Sequence, residues 1–124
     1  MEDNSFKFKR KQFLEDFEKV RPAMTAIGDV VRQGIIITLI ETGGRGGIRV
    51  GEIQKRTNIS RSAVSHHMKI LKDAGIIDVR QDGTKIFYYL NPASSSLKEL
   101  SRFWEQVEPM MELCHKKSQE EMKV

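Results

Sequence analysis

The chain has 124 residues, which is the length of a single ordinary domain and predicts one domain over residues 1–124. Hydrophobic residues make up 39% and charged residues 31%, and no uncharged apolar run is long enough to cross a bilayer, so no membrane association is expected. The formal net charge is +4, and the one cysteine, Cys114, excludes an intrachain disulfide. A charged N-terminus unlike a signal peptide predicts a cytoplasmic protein whose mature chain starts at Met1.

The first predicted element is an amphipathic helix within an N-terminal arm over residues 1–21. Its apolar residues recur at spacings of four, three and four, at Phe13, Phe17, Val20 and Met24. Pro22 interrupts this pattern, and we expect it to end the helix or to start the next one.

A second helix is predicted for TAIGDVVRQGIIITLIETG, which ends at Gly43, a residue type that commonly stops helices. Its apolar residues form one broad face: Ile27, Val30, Val31, Ile35, Thr38 and Leu39. The β-branched run IIIT leaves a short strand as the alternative. The loop GGRGG that follows is predicted to be a mobile connection, because no Gly-Lys-Ser/Thr follows it as in a phosphate-binding loop.

Two helices joined by a turn are predicted next. IRVGEIQKRTN gives a short helix, residues 58–60 give a turn, and Ser60 is the expected N-cap of the helix RSAVSHHMKILKDAG. Val64, Met68 and Leu71 form an inward apolar stripe on this helix, and Gly75 is its expected C-cap. The outward surface is small, polar and basic: Arg61, Ser62, Ser65, His66 and Lys69.

A β-hairpin is predicted after Gly75, where the apolar period changes from helical to alternating. Apolar residues alternate on both sides of Asp82-Gly83, at Ile77, Val79, Ile86, Tyr88 and Leu90. An Asp-Gly pair between alternating apolar residues is a strong hairpin signal. Arg80 and Lys85 are expected on either side of the tip.

The last predicted element is a helix over residues 94–120. Apolar residues recur along it at spacings of three and four: Leu97, Leu100, Trp104, Val107, Met111 and Cys114. This seam is too short for an independent coiled coil but suits packing against another helix, with Cys114 as a small buried hydrophobe. Pro109 lies inside the helix, and we expect it to kink the helix or break it locally.

The order of these elements predicts a DNA-binding fold. Residues 45–85 hold 9 basic and 4 acidic side chains, so the whole positive excess lies there, as expected for a polyanion-binding surface. An α-helix fits the major groove, where Ser, Arg and His side chains can read base edges, and a basic hairpin can reach phosphates. The predicted fold class is mainly α with a small β-hairpin: a winged helix-turn-helix with flanking N- and C-terminal dimerisation helices.

The sequence also resembles a known family. ISRSAVSHHMKILKDAGII, followed by VRQDGTKIFYYL, is similar to the recognition helix and wing of the ArsR-type winged-helix transcriptional regulators, and the resemblance covers residues 26–91. The DNA-facing residues that the resemblance implies are Ser62, Ser65 and His66 on the helix, with Arg80 and Lys85 on the wing. It also implies a homodimer that pairs through its first and last helices and represses transcription until an effector, which the sequence does not name, binds.

Two departures from the family pattern concern metal sensing and a helix start. The family's thiolate site is a Cys-x-Cys-type motif, and IRVGEI holds no cysteine at the matching positions. The second departure is GDVVRQ, which stands where the family has a helix start of the Pro-Thr-Arg type. The family's other common metal site uses the last helix, where the only candidate ligands are Glu108, Glu112 and His115. Their spacing is more typical of a solvated helix surface, so we expect no metal and no other cofactor.

The sequence thus predicts a DNA-binding transcriptional repressor without enzymatic activity, because it holds no paired carboxylates, activated nucleophile or cofactor motif. Its predicted partners are a palindromic double-stranded operator and a second copy of the chain. The predicted DNA contacts are Arg61, Ser62, Ser65, His66, Lys69, Arg80 and Lys85. The predicted dimer contacts are Phe13, Phe17, Leu100, Trp104, Val107 and Met111. Two alternatives remain open: a winged-helix module that docks an acidic protein, and a binder of structured RNA.

Overall fold

The computed structural model describes residues 4–43 and 46–123, and within them the chain forms five helices and one hairpin. The elements in chain order are α1 (Asn4–Ile27), α2 (Val30–Glu41), α3 (Val50–Thr57), α4 (Arg61–Asp73), β1 (Ile77–Asp82), β2 (Lys85–Leu90) and α5 (Ser95–Met122). The predicted class, mainly α with a small β-hairpin, is confirmed. No helix in the described ranges is by itself long and apolar enough to cross a membrane; α1 and α2 reach that length and composition only when counted together across their break.

The backbone forms two compact units. One is Pro22–Lys98, and the other consists of the segments before and after it. The prediction of a single domain with an arm, a core and a last helix stays a prediction.

Helix α1 runs through Pro22, so the predicted helix boundary there is wrong. A proline lacks the N–H that would bond to the carbonyl four residues earlier, which here belongs to Glu18. Both Pro22 and Glu18 are exposed, so water can satisfy this carbonyl and the helix continues to Ile27. Helix α5 likewise continues across Pro109 without a break, because Pro109 and Glu105 are exposed.

The segment predicted as one helix is divided between α1 and α2 at Gly28. Asp29 follows as the N-cap of α2, and its Oδ2 accepts a hydrogen bond from the Arg32 N–H at 3.0 Å. This backbone hydrogen bond is the first cause that holds the pKa of the Asp29 carboxyl below its ordinary value. A glycine followed by an aspartate inside an apolar run was therefore a helix-start signal that the sequence analysis missed.

Helix α2 contains the run IIIT, so the strand alternative is wrong. Its buried residues, Ile35, Thr38 and Leu39, follow the helical spacing of three to four. Val30, which was predicted on the same face, is 80% exposed. It lies about 140° around the helix from Ile35, which turns its side chain away from the core.

The core of the Pro22–Lys98 unit is formed where α2, α3 and α4 pack on one another and on the hairpin. Helix α4 contributes Val64, Met68 and Leu71, each no more than 1% exposed, which confirms the predicted inward stripe. Burying such a side chain contributes roughly 1.5–3 kcal/mol, so this stripe determines which face of α4 is left outside. Ser60 caps the helix as predicted, since its Oγ accepts a hydrogen bond from the Ala63 N–H at 3.2 Å.

Strands β1 and β2 form the predicted antiparallel hairpin, whose last pair is Asp82↔Lys85. The two-residue loop is therefore Gly83-Thr84, and Asp82 belongs to β1 instead of the turn. Gly83 has a φ of 63°, a left-handed conformation that glycine adopts without steric cost.

In the other unit, the early part of α1 and most of α5 share an aromatic cluster. Phe103 is 2% exposed, and its ring stacks on Phe13 with 4.9 Å between centroids. Phe17 meets the same ring edge-on at 5.2 Å. Phe13 and Phe17, two predicted dimer contacts, therefore contact a residue of their own chain.

The exposed stripe of α5 differs from its buried stripe by one residue in register. Trp104 is 63% exposed and Met111 is 66% exposed, whereas Phe103 and Met110 are buried. Cys114 is exposed too, so the prediction that it is a buried hydrophobe is wrong. A shift of one residue is about 100° around a helix, and two apolar stripes with the same spacing cannot be told apart by spacing alone.

Candidate nucleic-acid interface

Helix α4 presents the five predicted helix contacts at its surface. All five are exposed: Arg61, Ser62, Ser65, His66 and Lys69. The last four of them centre about 150° around the helix from the buried stripe. Their hydroxyl, imidazole and ammonium groups therefore point away from the core and share one face.

The outward side chains of α4 keep their hydrogen-bonding capacity. The Ser62 Oγ has one neighbour, the Ser60 Oγ at 3.3 Å. Lys69 Nζ lies 3.0 Å from the Asp73 carboxylate, but both side chains are largely exposed, and such a surface pair contributes at most about 1 kcal/mol. A phosphate can therefore replace Asp73 as the partner of Lys69 at little cost.

The wing holds Arg80 in a fixed position. Arg80 pairs with Phe87 in the hairpin register, two pairs away from Asp82↔Lys85. Of the two predicted wing residues Lys85 alone borders the tip, so the predicted place of Arg80 is wrong. The Arg80 guanidinium lies over the Phe87 ring, with 4.5 Å from Cζ to the centroid. Its Nε donates to the Gly46 carbonyl at 3.3 Å. Arg80 is exposed and pre-oriented, which suits a phosphate contact.

The end of the glycine loop is joined to the wing. Gly44 and Arg45 lie outside the described residues, but Ile48 and Tyr88 exchange backbone hydrogen bonds of 2.9 and 2.8 Å. Gly47 has a φ of 95°, and a Cβ there would collide with the Tyr88 carbonyl. From Gly46 onward the predicted mobile connection is therefore wrong: this part of the loop is tied to β2.

A groove of about 530 Å³ lies between the start of α3 and the wing. Arg49 and Arg61 line it together with Phe87 and Glu52, and the Glu52 carboxylate is paired with Arg56 at 2.9 Å. The Arg49 N-cap makes no side-chain cap hydrogen bond. Two guanidinium groups on one groove suit contacts to phosphate oxygens. The sequence analysis did not select Arg49, and the signal that could have found it is a basic residue at the start of the helix before the recognition helix.

The predicted metal candidates lie elsewhere, on the exposed side of α5. Glu108, Glu112 and His115 line an open groove that also contains Trp104 and Met111. Among residues 4–43 and 46–123, no three His, Cys, Asp or Glu side chains are grouped to hold a metal ion.

Comparison with known proteins assigns this chain to a family. Residues 36–79, from within α2 to within β1, match the description "Bacterial regulatory protein, arsR family". An HTH-type transcriptional regulator of Mycobacterium tuberculosis is 37% identical over 84 residues, which cover 66% of this chain and 75% of that protein. The chain belongs to the arsR family. The transcriptional repressor SdpR of Bacillus subtilis is 39% identical over 67 residues, covering 53% of this arsR-family chain and 69% of that protein.

Solved structures agree with this arsR-family fold. An ArsR-like transcriptional regulator from Rhodococcus sp. RHA1 has a TM-score of 0.71 at 19% identity. The match covers 89% of this chain and 95% of the Rhodococcus chain. The transcriptional repressor BigR from Xylella fastidiosa has a TM-score of 0.56 at 24% identity, and the match covers 74% of this chain and 90% of the BigR chain. These structures show the winged helix-turn-helix fold, and the family match with the named relatives shows that the protein is a DNA-binding transcriptional regulator.

Proposed function

We propose that this arsR-family protein is a homodimeric repressor that reads a palindromic operator through α4. The observation that carries the proposal is the placement of Ser62, Ser65 and His66 on the exposed face of a helix whose opposite face is fully buried. These side chains can donate and accept hydrogen bonds, which is what base edges in the major groove require. The core holds the other face of α4, so this face is the one available to DNA.

The basic residues around α4 have a different proposed role. Arg61, Lys69, Arg80 and Lys85 are exposed and lie on α4 or on the hairpin, and Arg49 shares a groove with Arg61. Contacts from such side chains to phosphates supply affinity for any duplex and carry no sequence information. We assign specificity to the polar face of α4 and salt-dependent affinity to these cations.

The homodimer is proposed from exposed apolar surface. Five large apolar residues outside the Pro22–Lys98 unit are more than half exposed: Phe8, Leu14, Trp104, Met111 and Met122. Leu100 and Val107 are half-buried beside them on α5. A second copy would cover this surface, and a two-fold dimer matches the symmetry of a palindromic operator.

Repression, cytoplasmic location and the lack of catalysis belong to the same proposal. Several relatives are named repressors, among them SdpR of Bacillus subtilis and the biofilm growth-associated repressor of Xylella fastidiosa. The genomic DNA of a bacterium lies in its cytoplasm, so a DNA-binding regulator works there. The cysteine-free IRVGEI segment supports a regulator that does not sense metals through thiolates at that segment.

The test begins with the duplex that the wild-type protein enriches from a randomised DNA library, called here the selected duplex. We expect the selected duplex to contain an inverted repeat and to bind more tightly than a scrambled duplex of equal composition. Ser65→Ala and His66→Ala should weaken binding to the selected duplex by about 1–3 kcal/mol, with little change on the scrambled one. Combined Arg80→Ala and Lys85→Ala should weaken binding to both duplexes and lower the salt slope by roughly one unit per lost contact.

A matched control is available on α5, where Ser101→Ala changes an exposed residue of the same type as Ser65. This control should not alter binding to either duplex. No enrichment from the library, or α4 variants that behave like the wing variants, would contradict the proposed reading face. Equal binding to duplex RNA would favour the RNA-binding alternative.

A further inference from the structure

The side chain of Arg32 joins three parts of the Pro22–Lys98 unit. Its Nε donates to the Ala26 carbonyl at 2.7 Å and its Nη2 to the Thr25 carbonyl at 3.4 Å, both in the last turn of α1. Its Nη1 lies 3.1 Å from Nδ1 of His67 on α4 and 4.0 Å from the Asp29 carboxylate. The Arg32 side chain is only 11% exposed, so a charged group on α2 is held almost entirely by these partners.

The chemistry of this contact determines which atom donates and which accepts the hydrogen bond between Arg32 and His67. A guanidinium has donors and no acceptor, so the Nδ1 of His67 must accept the hydrogen bond and therefore carries no proton. The ring of His67 in turn meets the exposed ring of His66 edge-on, with 5.5 Å between centroids. His67 is thus half-buried between Arg32 on one side and the proposed reading face of α4 on the other.

We propose that Arg32 is a positioning residue for DNA reading, which fixes the rotation of α4 about its axis through its bond to His67. The buried stripe of α4 sets which face of the helix lies outside, but apolar contacts are non-directional and restrain small rotations about that position less than a hydrogen bond does. The Arg32–His67 hydrogen bond is directional, and its donor is immobilised by the two α1 carbonyls. This inference rests on the proposed role of α4 as the reading helix.

A positioning role has a signature that a merely structural role lacks. Hydrogen bonds to base edges need their donors held within about 0.5 Å, whereas long basic side chains can follow a phosphate that shifts. Loss of the Arg32–His67 bond should therefore weaken binding to the selected duplex much more than binding to the scrambled duplex. The salt slope should stay the same, because no phosphate contact is removed.

The experiment compares two replacements of His67 and combines them with Arg32→Lys. His67→Leu removes the acceptor, and we expect selected-duplex affinity to fall about tenfold, with less than about threefold loss on the scrambled duplex. His67→Asn places a neutral acceptor at the same position and should keep selected-duplex affinity within about twofold of wild type. The double variant of Arg32→Lys and His67→Leu should bind the selected duplex no more weakly than the weaker of the two single variants, because both changes break the same bond.

The outcomes separate this inference from the proposed function. If His66→Ala leaves selected-duplex binding unchanged, the reading face of α4 is wrong. If His66→Ala weakens binding but His67→Leu matches the wild type, the reading face stands and the positioning role is overturned. Equal loss on both duplexes for His67→Leu would also overturn it, since that result indicates a structural role alone. The His67 pair suffices for this decision even if Arg32→Lys does not fold.

Discussion

At the scale of single residues, Asp29 shows how one side chain starts a helix inside an apolar run. Its carboxylate accepts the Arg32 N–H, and this bond lowers the pKa of the carboxyl in the folded state. A carboxyl with a lowered pKa stabilises the fold at pH values above its unfolded-state pKa of about 3.9. This stabilisation is lost as the pH falls through the lower pKa of the folded state.

Asp29→Ala should lower the Tm by a few degrees near neutral pH, because α2 loses its cap. Asn is as good a cap as Asp but does not titrate, so Asp29→Asn should keep most of the stability at neutral pH. The measurement is thermal unfolding of the wild type and both variants from about pH 7 to about pH 3. The advantage of wild type over Asp29→Asn should shrink on acidification; an advantage that stays constant would show that the carboxylate charge contributes nothing.

At the scale of elements, the wing depends on the short backbone segment that joins it. Gly47→Ala would place a Cβ against the Tyr88 carbonyl at a φ of 95° and should break the Ile48–Tyr88 pairing, at a cost of about 1–3 kcal/mol. Arg80 bonds to the neighbouring Gly46 carbonyl, so affinity for both selected and scrambled duplexes should fall as well. Urea unfolding and salt titration of binding measure the two effects.

Gly51→Ala is the matched control for this prediction. Gly51 lies in α3, and a Cβ there meets no atom within 4 Å. Within a helix, alanine is more stable than glycine by about 0.5–1 kcal/mol, so this variant should be as stable as the wild type or slightly more stable. If Gly47→Ala behaves like Gly51→Ala, the joined segment does not support the wing.

The elements also show which parts of the fold the sequence could predict. The Ser60 cap, the buried stripe of α4 and the hairpin after Gly75 depend on neighbours a few residues apart, and all three were predicted correctly, although the turn lies one residue later than predicted. The Arg32–His67 bond joins residues 35 apart, and no local pattern indicates it. Phe103 was missed because its stripe on α5 has the same period as the Trp104 stripe, and only the position of the Phe13 ring distinguishes them.

At the scale of the whole molecule, the exposed apolar residues outside the Pro22–Lys98 unit raise the question of what covers them. A large apolar side chain left in water forgoes about 1.5–3 kcal/mol of burial, and five such residues are more than half exposed: Phe8, Leu14, Trp104, Met111 and Met122. Trp104 is the largest of them. Because it packs little within its own chain, its replacement tests self-association without removing a core residue.

Trp104→Asp should convert a dimer into a folded monomer, because a carboxylate would have to be desolvated in the interface while the protomer keeps its own core. The control is Gln106→Asp, which adds the same charge at an exposed residue about 160° around α5 from Trp104. Sedimentation at micromolar concentration should give a dimer for the wild type and for Gln106→Asp, and a monomer with unchanged helical circular dichroism for Trp104→Asp. The monomer should also lose most of its affinity for the selected duplex, since one subunit engages only one half of an inverted repeat. A wild-type chain that sediments as a monomer would show that the exposed stripe of α5 has some other role.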